Sequence, residues 1–360
     1  MKKLKIGLIG VGGVMHYGHL VGYNVMDDME IVAICDIDDG KLASVGEELS
    51  IPEDRRFKSY KDIIDCEDVE AVDIATWNSV HCEIAKYAAE KGKPFSIEKP
   101  VGMDRKETLE LAEATKKSGV PAFVCLSWRY RPYTRYVKYL IDSDILGEVY
   151  HIYIRCIKDS GLWEGRKREW RFDRSRGGSG VLGDLGSHMV DMVHFWGYEF
   201  DELYANTGIF IKERPTEETG EIVAVDTDDW CNVNAKLTTG ASCTIELSRL
   251  ATTISNLISF ELYGEKGKLI YTYLGDNSQT IEFVDAKTCE KQMFTPPAEF
   301  NAIQSQSFVN LVNGVEDEYT AKIEHGLQCQ YVLDAMIISA DENKPVKIAD
   351  MKNNIDTIKF

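Results

Sequence analysis

The sequence predicts an α/β protein in two parts: an N-terminal Rossmann domain with a doubly wound parallel sheet, then an α+β domain with a large, mostly antiparallel open sheet. Three observations carry this. Short apolar runs alternate with helix-length amphipathic runs through residue 126, the grammar of right-handed βαβ units. The glycines of Gly10-Val11-Gly12-Gly13 follow the first run and open a helix. Beyond Arg129-Tyr130-Arg131-Pro132, long strand-like runs joined by tight turns at Thr239-Gly240 and Gly264-Glu265-Lys266-Gly267 take over, so neighbours pair as hairpins. The domains are therefore expected over 1–126 and 127–360.

In order, the first part reads as strand 4–9, a helix to about residue 26, strand 30–36, helix 41–49, strand 71–75, helix 79–90 and strand 94–97. Helix 104–118 follows, where Asp104 and Glu107 form a capping box, and strand 122–126 closes the series. The second part reads as helix 133–141, then strands 149–157, 202–211, 230–237, 242–248, 257–263 and 268–273. The acidic stretch 212–227 reads as a loop, and helices near 302–313 and 325–340 end the chain. Between them, residues 177–194 (GGSGVLGDLGSHMVDMVH) run from glycines into a helical pattern. A helix starting near Asp184 puts Asp184, His188 and Asp191 on one face. Leu185, Met189, Met192, Val193 and Trp196 form the apolar stripe beside it.

A chain of 360 residues has room for two domains and a sizeable core. With 59 acidic against 41 basic residues the net charge is −18, which argues against nucleic acid or an anionic membrane as partner. Nine cysteines without a CxxC pair point to reduced, buried thiols in a cytoplasmic protein. The apolar run of MKKLKIGLIGVGG breaks too early for a secretory leader, and no stretch approaches the ~20 apolar residues of a membrane span. His188, Asp191 and His194 lack a further cluster to complete a metal shell, so no metal is expected.

The glycine turn between strand and helix is the context of a dinucleotide fingerprint. Gly10 permits the turn, Gly12 lets amides approach a pyrophosphate, and Gly13 and Val14 lie at a helix start that favours its charge. Met15 stands where the strict motif has a third glycine, so looser helix–strand packing is expected. Asp36 ends the second strand, placed to accept from a ribose 2′-hydroxyl and to repel a 2′-phosphate. Ile37 follows it rather than an arginine, which favours NAD over NADP. Thr76, Trp77, Asn78 and His81 lie at the carboxyl edge of the third strand, where such sheets bind ligands, with Asn78 or Ser79 expected to cap the next helix. Glu98-Lys99-Pro100 ends another parallel strand, and the proline holds Lys99 extended.

The fingerprint, acidic strand end, EKP, R-Y-x-P (129–132), W-R-x-D (170–173) and G-G-x-G-x-L-x-D-x-G-x-H-x-x-D (177–191) occur in order over nearly the full chain. Together they resemble the Gfo/Idh/MocA family of glucose–fructose oxidoreductase and inositol dehydrogenase. The sequence departs from that pattern at Met15 and at Trp77. The resemblance implies catalytic roles for Lys99, Asp184 and His188. Chemistry agrees: oxidising a secondary alcohol needs a base for the hydroxyl proton, and His188 titrates in the right range. Asp184 can orient that ring or hold a substrate hydroxyl, and Lys99 can steady the developing oxyanion. Arg129, Trp163 and Arg171 supply the aromatic faces and guanidiniums that suit polyhydroxylated rings.

The expected activity is NAD-dependent oxidation of a secondary hydroxyl of a sugar, cyclitol or glycoside to a ketone, C3 of a sugar being one candidate position. The alternatives are an enzyme that keeps and recycles NAD while cleaving or exchanging a glycosidic bond, and a ligand-sensing regulator, against which the Lys99, Asp184 and His188 set argues. An open sheet with an apolar outer face implies a homo-oligomer, a dimer or higher.

Overall fold

The computed structural model describes residues 2–217 and 219–354. They form two compact units, one of residues 2–127 with Ala302–Gln328, the other of Trp128–Asn301 with residues 329–354.

The first unit is built on six parallel strands: β1 (Leu4–Ile9), β2 (Met29–Cys35), β3 (Arg56–Phe57), β4 (Ala71–Ile74), β5 (Phe95–Ile97) and β6 (Ala122–Val124). Their order is β3-β2-β1-β4-β5-β6, the doubly wound arrangement, reversing direction between β1 and β4. Strands buried on both faces need continuous apolar runs, and Leu8, Ile9, Val72, Ile74, Phe95 and Ile97 supply them. Asp73 breaks the rule most sharply, a charged residue inside β4 with no solvent exposure. The helix Arg105–Ser118 starts as its sequence predicts, with the Asp104 carboxylate accepting from Glu107 N at 2.9 Å. Glu107 reaches back one residue further than a strict capping box, to Met103 N at 3.1 Å.

After the glycine turn the chain forms a π-helical turn, Met15–Leu20, before Val21–Tyr23. The looser packing expected at Met15 is not found, because its side chain is fully buried within this wider turn. The late segment returns to this unit. Val124 N donates to Ala321 O at 2.9 Å, and Phe123 packs on Phe308 and bridges Lys322. The edge of β6 is thereby covered.

The second unit carries β7 (Val149–Ile157), β8 (Phe200–Gly208), β11 (Trp230–Leu237), β12 (Ser242–Ser248), β13 (Leu257–Gly264), β14 (Gly267–Leu274), β15 (Gln279–Asp285), β16 (Lys291–Phe294) and β17 (Val346–Lys347). In the order β16-β15-β14-β13-β7-β12-β11-β8-β17 every pair is antiparallel except β7 with β12. The stretch read as a loop contains a small hairpin, β9 (Glu213–Pro215) with β10 (Ile222–Ala224), too short to show an alternating pattern. Along β12, β13 and β14 burial alternates residue by residue. Ile245, Leu247, Phe260, Leu262 and Tyr271 form the inner face, on which Trp128 and Trp196 pack edge-on against Phe260.

The outer face is not apolar as expected. It carries His151, Tyr153, Arg155, Thr244, Glu246, Glu261 and Tyr263 around a groove of about 420 Å³, with Arg155 paired to Glu246 at 2.6 Å.

Candidate active site

In the first unit the carboxyl ends of β1, β2, β4 and β5 gather the nucleotide-type residues. Gly10 has φ +86°, and a Cβ there would lie 2.6 Å from Ala75 O, so only glycine fits. A Cβ on Gly12 would meet nothing within 4 Å, leaving backbone open to a ligand at the helix start. Gly13 is exposed and Val14 half-buried beside it. Asp36 stands at the end of β2, one carboxylate oxygen accepting from Val11 N and the other from Asp38 N, each at 3.0 Å. That carboxylate is thus aimed and rigid, with lone pairs left for ribose hydroxyls. Ile37 next to it is exposed, an apolar surface for a base. These residues fit NAD: open glycine backbone for the pyrophosphate and an anchored carboxylate for the ribose.

Thr76 and Trp77 are half-buried at the end of β4. Trp77, not Asn78 or Ser79, is the N-cap of helix Asn78–Glu90 and makes no side-chain cap; Asn78 is its buried first residue. His81 is buried with Nδ1 3.0 Å from Pro100 O and Nε2 3.2 Å from Thr76 O. Burial is the main cause holding its pKa below the usual value, so the ring is neutral. It ties the β4 edge to the loop after β5, a use different from the cofactor contact expected of it.

Glu98 and Lys99 are half-buried at the end of β5. Glu98 Oε2 accepts from Lys99 N at 3.0 Å, and Oε1 lies 3.0 Å from His19 Nε2. His19 Nδ1 lies 2.7 Å from Asp73 Oδ2, which also accepts from Tyr23 at 2.8 Å. Sequence reading missed His19 and Tyr23. The visible signal was Asp73, a charged residue in an otherwise apolar strand, which requires a buried partner.

In the second unit the helix expected from Asp184 breaks. Val181–Asp184 is one short helix and Gly186–Phe195 another, with Leu185 between them. Gly180 and Leu182 donate their amides to the two oxygens of buried Asp228, at 2.7 and 2.9 Å. A Cβ on Gly180 would lie 1.9 Å from Asp228 O, so the glycine is obligatory. This clamp sets the direction of the short helix that ends in Asp184, whose carboxylate lies 3.5 Å from Lys158 Nζ. In helix Gly186–Phe195 only His188 and His194 keep partial exposure. His194 has its own partners, Tyr198 O at 3.2 Å and Glu199 at 3.3 Å.

Asp191 does not share the exposure of Asp184 and His188. It is fully buried and accepts three hydrogen bonds from Arg129 at 2.6–3.0 Å. Arg129 is only 2% exposed, so its guanidinium serves the core and not the substrate contact expected of it. Trp163 is 59% exposed, with Nε1 donating to Asp159 at 3.1 Å. Arg171 is half-buried and stacks on Trp170 at 4.4 Å.

Both parts of the chain match known proteins. Residues 4–126 match the family described as "Oxidoreductase family, NAD-binding Rossmann fold" (GFO_IDH_MocA), and residues 134–270 match the "GFO/IDH/MocA C-terminal domain". The chain is 30% identical over 319 residues to levoglucosan dehydrogenase of Pseudarthrobacter phenanthrenivorans, covering 83% of this chain and 82% of that one. It is 25% identical over 355 residues to glucose-6-phosphate 3-dehydrogenase of Bacillus subtilis, covering 96% and 99%. The solved structure of levoglucosan dehydrogenase in complex with NADH superposes with a TM-score of 0.86 at 25% identity, over 96% of this chain and 99% of that one.

Proposed function

This chain belongs to the Gfo/Idh/MocA oxidoreductase family, with its NAD-binding Rossmann fold, and from that premise we propose that it oxidises a secondary hydroxyl of a sugar, cyclitol or glycoside to a ketone. The observation that carries the reading is the exposure pattern of helix Gly186–Phe195. Every residue of it is buried except His188 and the separately paired His194. A core helix that keeps histidine at a partly exposed position, four residues after a half-exposed aspartate on a clamped turn, fits a base for a substrate proton.

NAD, held by the open backbone at Gly12 and the Asp36 carboxylate, would supply the hydride acceptor. His188 takes the hydroxyl proton, and Asp184 orients the ring or steadies its cationic form. Lys99 donates to the same oxygen as negative charge develops on it. That His188 and Lys99 act on one hydroxyl rests on the family resemblance and on this chemistry. The exposed face of Trp163 and the Arg171 guanidinium are proposed contacts for a polyhydroxylated ring. A homo-oligomer is also proposed: Tyr153 and Tyr263 beside paired charges on the outer sheet face suit a polar, aromatic interface. Light scattering at micromolar protein that gives only the monomer mass of 40.6 kDa rejects this.

The test of function is NADH absorbance with a panel of levoglucosan, glucose 6-phosphate, free aldoses, inositols and aryl glycosides. Net NADH formation with one of them is expected. Glycoside cleavage without any absorbance change would instead establish the NAD-recycling reaction, and binding without turnover the sensor.

A further inference from the structure

One buried polar cluster outside the proposed chemistry lies in the first unit. His19, on the π-helical turn that follows the glycine loop, is 2% exposed and has a carboxylate at each ring nitrogen, Asp73 at 2.7 Å and Glu98 at 3.0 Å. A carboxylate oxygen can only accept, so both nitrogens carry protons and the ring is an imidazolium. The neighbouring groups reinforce this. Tyr23 donates to the same Asp73 oxygen, and the Cys125 thiol, pushed well up by burial, stays neutral. Although burial opposes it most, the two carboxylates lift the His19 pKa to about 10. The donor atoms of His19, Asp73 and Cys125 lie within 4.8 Å of one another. A ring protonated on both nitrogens has no lone pair for a metal, so hydrogen bonding and not ligation explains the cluster.

Glu98 is consequently held at both oxygens, one by His19 and the other by the backbone amide of Lys99. A carboxylate pinned this way fixes the peptide that launches the Lys99 side chain. The link starts on the segment whose first turn cradles the nucleotide and ends on the amide of the proposed oxyanion stabiliser. We propose that His19 is a positioning residue which, through Glu98, sets the direction of Lys99 relative to the glycine-loop helix. The inference rests on the reading of Lys99 as the group that steadies the substrate oxygen.

The test is a cycle of His19→Gln, Lys99→Ala and the double variant, with Glu98→Gln as a second route to the same break. Glu98→Gln leaves the His19–Asp73 pair intact, so it carries the test if His19→Gln does not fold. Turnover is measured with whichever panel compound gives the largest NADH signal, NAD affinity by fluorescence titration, and backbone amide exchange over residues 95–101. In His19→Gln and Glu98→Gln, turnover at saturating substrate should fall about tenfold, while the NAD dissociation constant stays within about threefold. Amide exchange over 95–101 should quicken by about fivefold or more. Lys99→Ala should cost far less on the His19→Gln background than alone, because the two act in one chain. Additive losses, or unchanged exchange and turnover in folded variants, overturn the inference. If Lys99→Ala alone leaves turnover intact, the reading of Lys99 has failed and the positioning role falls with it, a pattern distinct from additivity. A stoichiometric metal that survives dialysis also overturns it, since the ring would then be a ligand.

Discussion

His19 and His81 are both buried, and both contact the Glu98-Lys99-Pro100 turn, yet they hold it in opposite charge states. His19 meets two carboxylates and keeps its proton, its pKa lifted to about 10; His81 meets two backbone carbonyls and loses it, burial pulling its pKa down. Burial opposes the cation of each ring. What differs is the partner: a full negative charge outweighs that cost, and a carbonyl dipole does not. The neutral His81 has one proton for two acceptors, and the shorter 3.0 Å contact to Pro100 O is the better hydrogen bond. One brace is therefore ionic and the other dipolar.

If these two rings only brace, the ring that does chemistry must lie elsewhere. His188→Ala should lower the hydride-transfer rate by roughly 10²–10⁴ with NAD affinity unchanged. Single-turnover absorbance and melting on one sample decide this: an early melt with near-normal transfer would make His188 a core residue and leave the division of labour without an actor.

The next largest effect concerns the ionic brace. Removing His19 takes the cation from buried Asp73 and half-buried Glu98, so His19→Ala should cost about 3–5 kcal/mol in denaturant unfolding. The pH dependence has a definite sign. With a folded pKa raised from 6.5 to about 10, the His19 contribution is complete below pH 6.5 and is lost as pH rises through 10. The variant should therefore be flatter than wild type across that alkaline window; an unchanged slope would mean the ring is neutral.

The dipolar brace should show the mirror image on a smaller scale. His81→Gln should cost about 1–3 kcal/mol, the range for a lost buried hydrogen bond. Because the folded pKa of His81 is lowered from 6.5, its contribution is present above that value and drains as pH falls below it. Asp73 and Glu98, also lowered, lose their contributions at more acid pH, so the His81 signature is read just below pH 6.5. Loss of stability on the alkaline side instead would merge the two braces into one type.

The smallest effect tests the neighbouring carboxylate, which is held by amides and by neither ring. Wild type should bind NAD at least about tenfold more tightly than NADP, a difference of about 1.4 kcal/mol, and Asp36→Ala should narrow that gap. Equal affinities in the unmodified protein would show that the carboxylate held by Val11 N and Asp38 N does not face the ribose.

Much was legible because it is local. Strand-like runs placed β7, β11 and β12 to the residue, and the glycine turn between an apolar run and a helix pointed to a nucleotide loop. Lys99, Asp184 and His188 came from ordered motifs, and their residue types already dictate the chemistry proposed for them. Local pattern was blind where pairing is short or distant. β3, with two residues, and β17, also with two, are strands only because a neighbour is there to pair with.

The sequence by itself thus determined the fold class and the kind of cofactor through periodicity and turn chemistry, and it pointed to the candidate acid–base groups through the family resemblance of its ordered motifs. Only the tertiary structure decided which charges meet. Arg129 and Asp191, 62 residues apart, became a buried pair, and His19 and Glu98, 79 apart, became a brace. The return of Ala302–Gln328 to the first unit was equally invisible. An isolated charge reads the same in sequence whether it will face solvent, a substrate or another charge. Its role is set by the dielectric and the partner that folding brings to it.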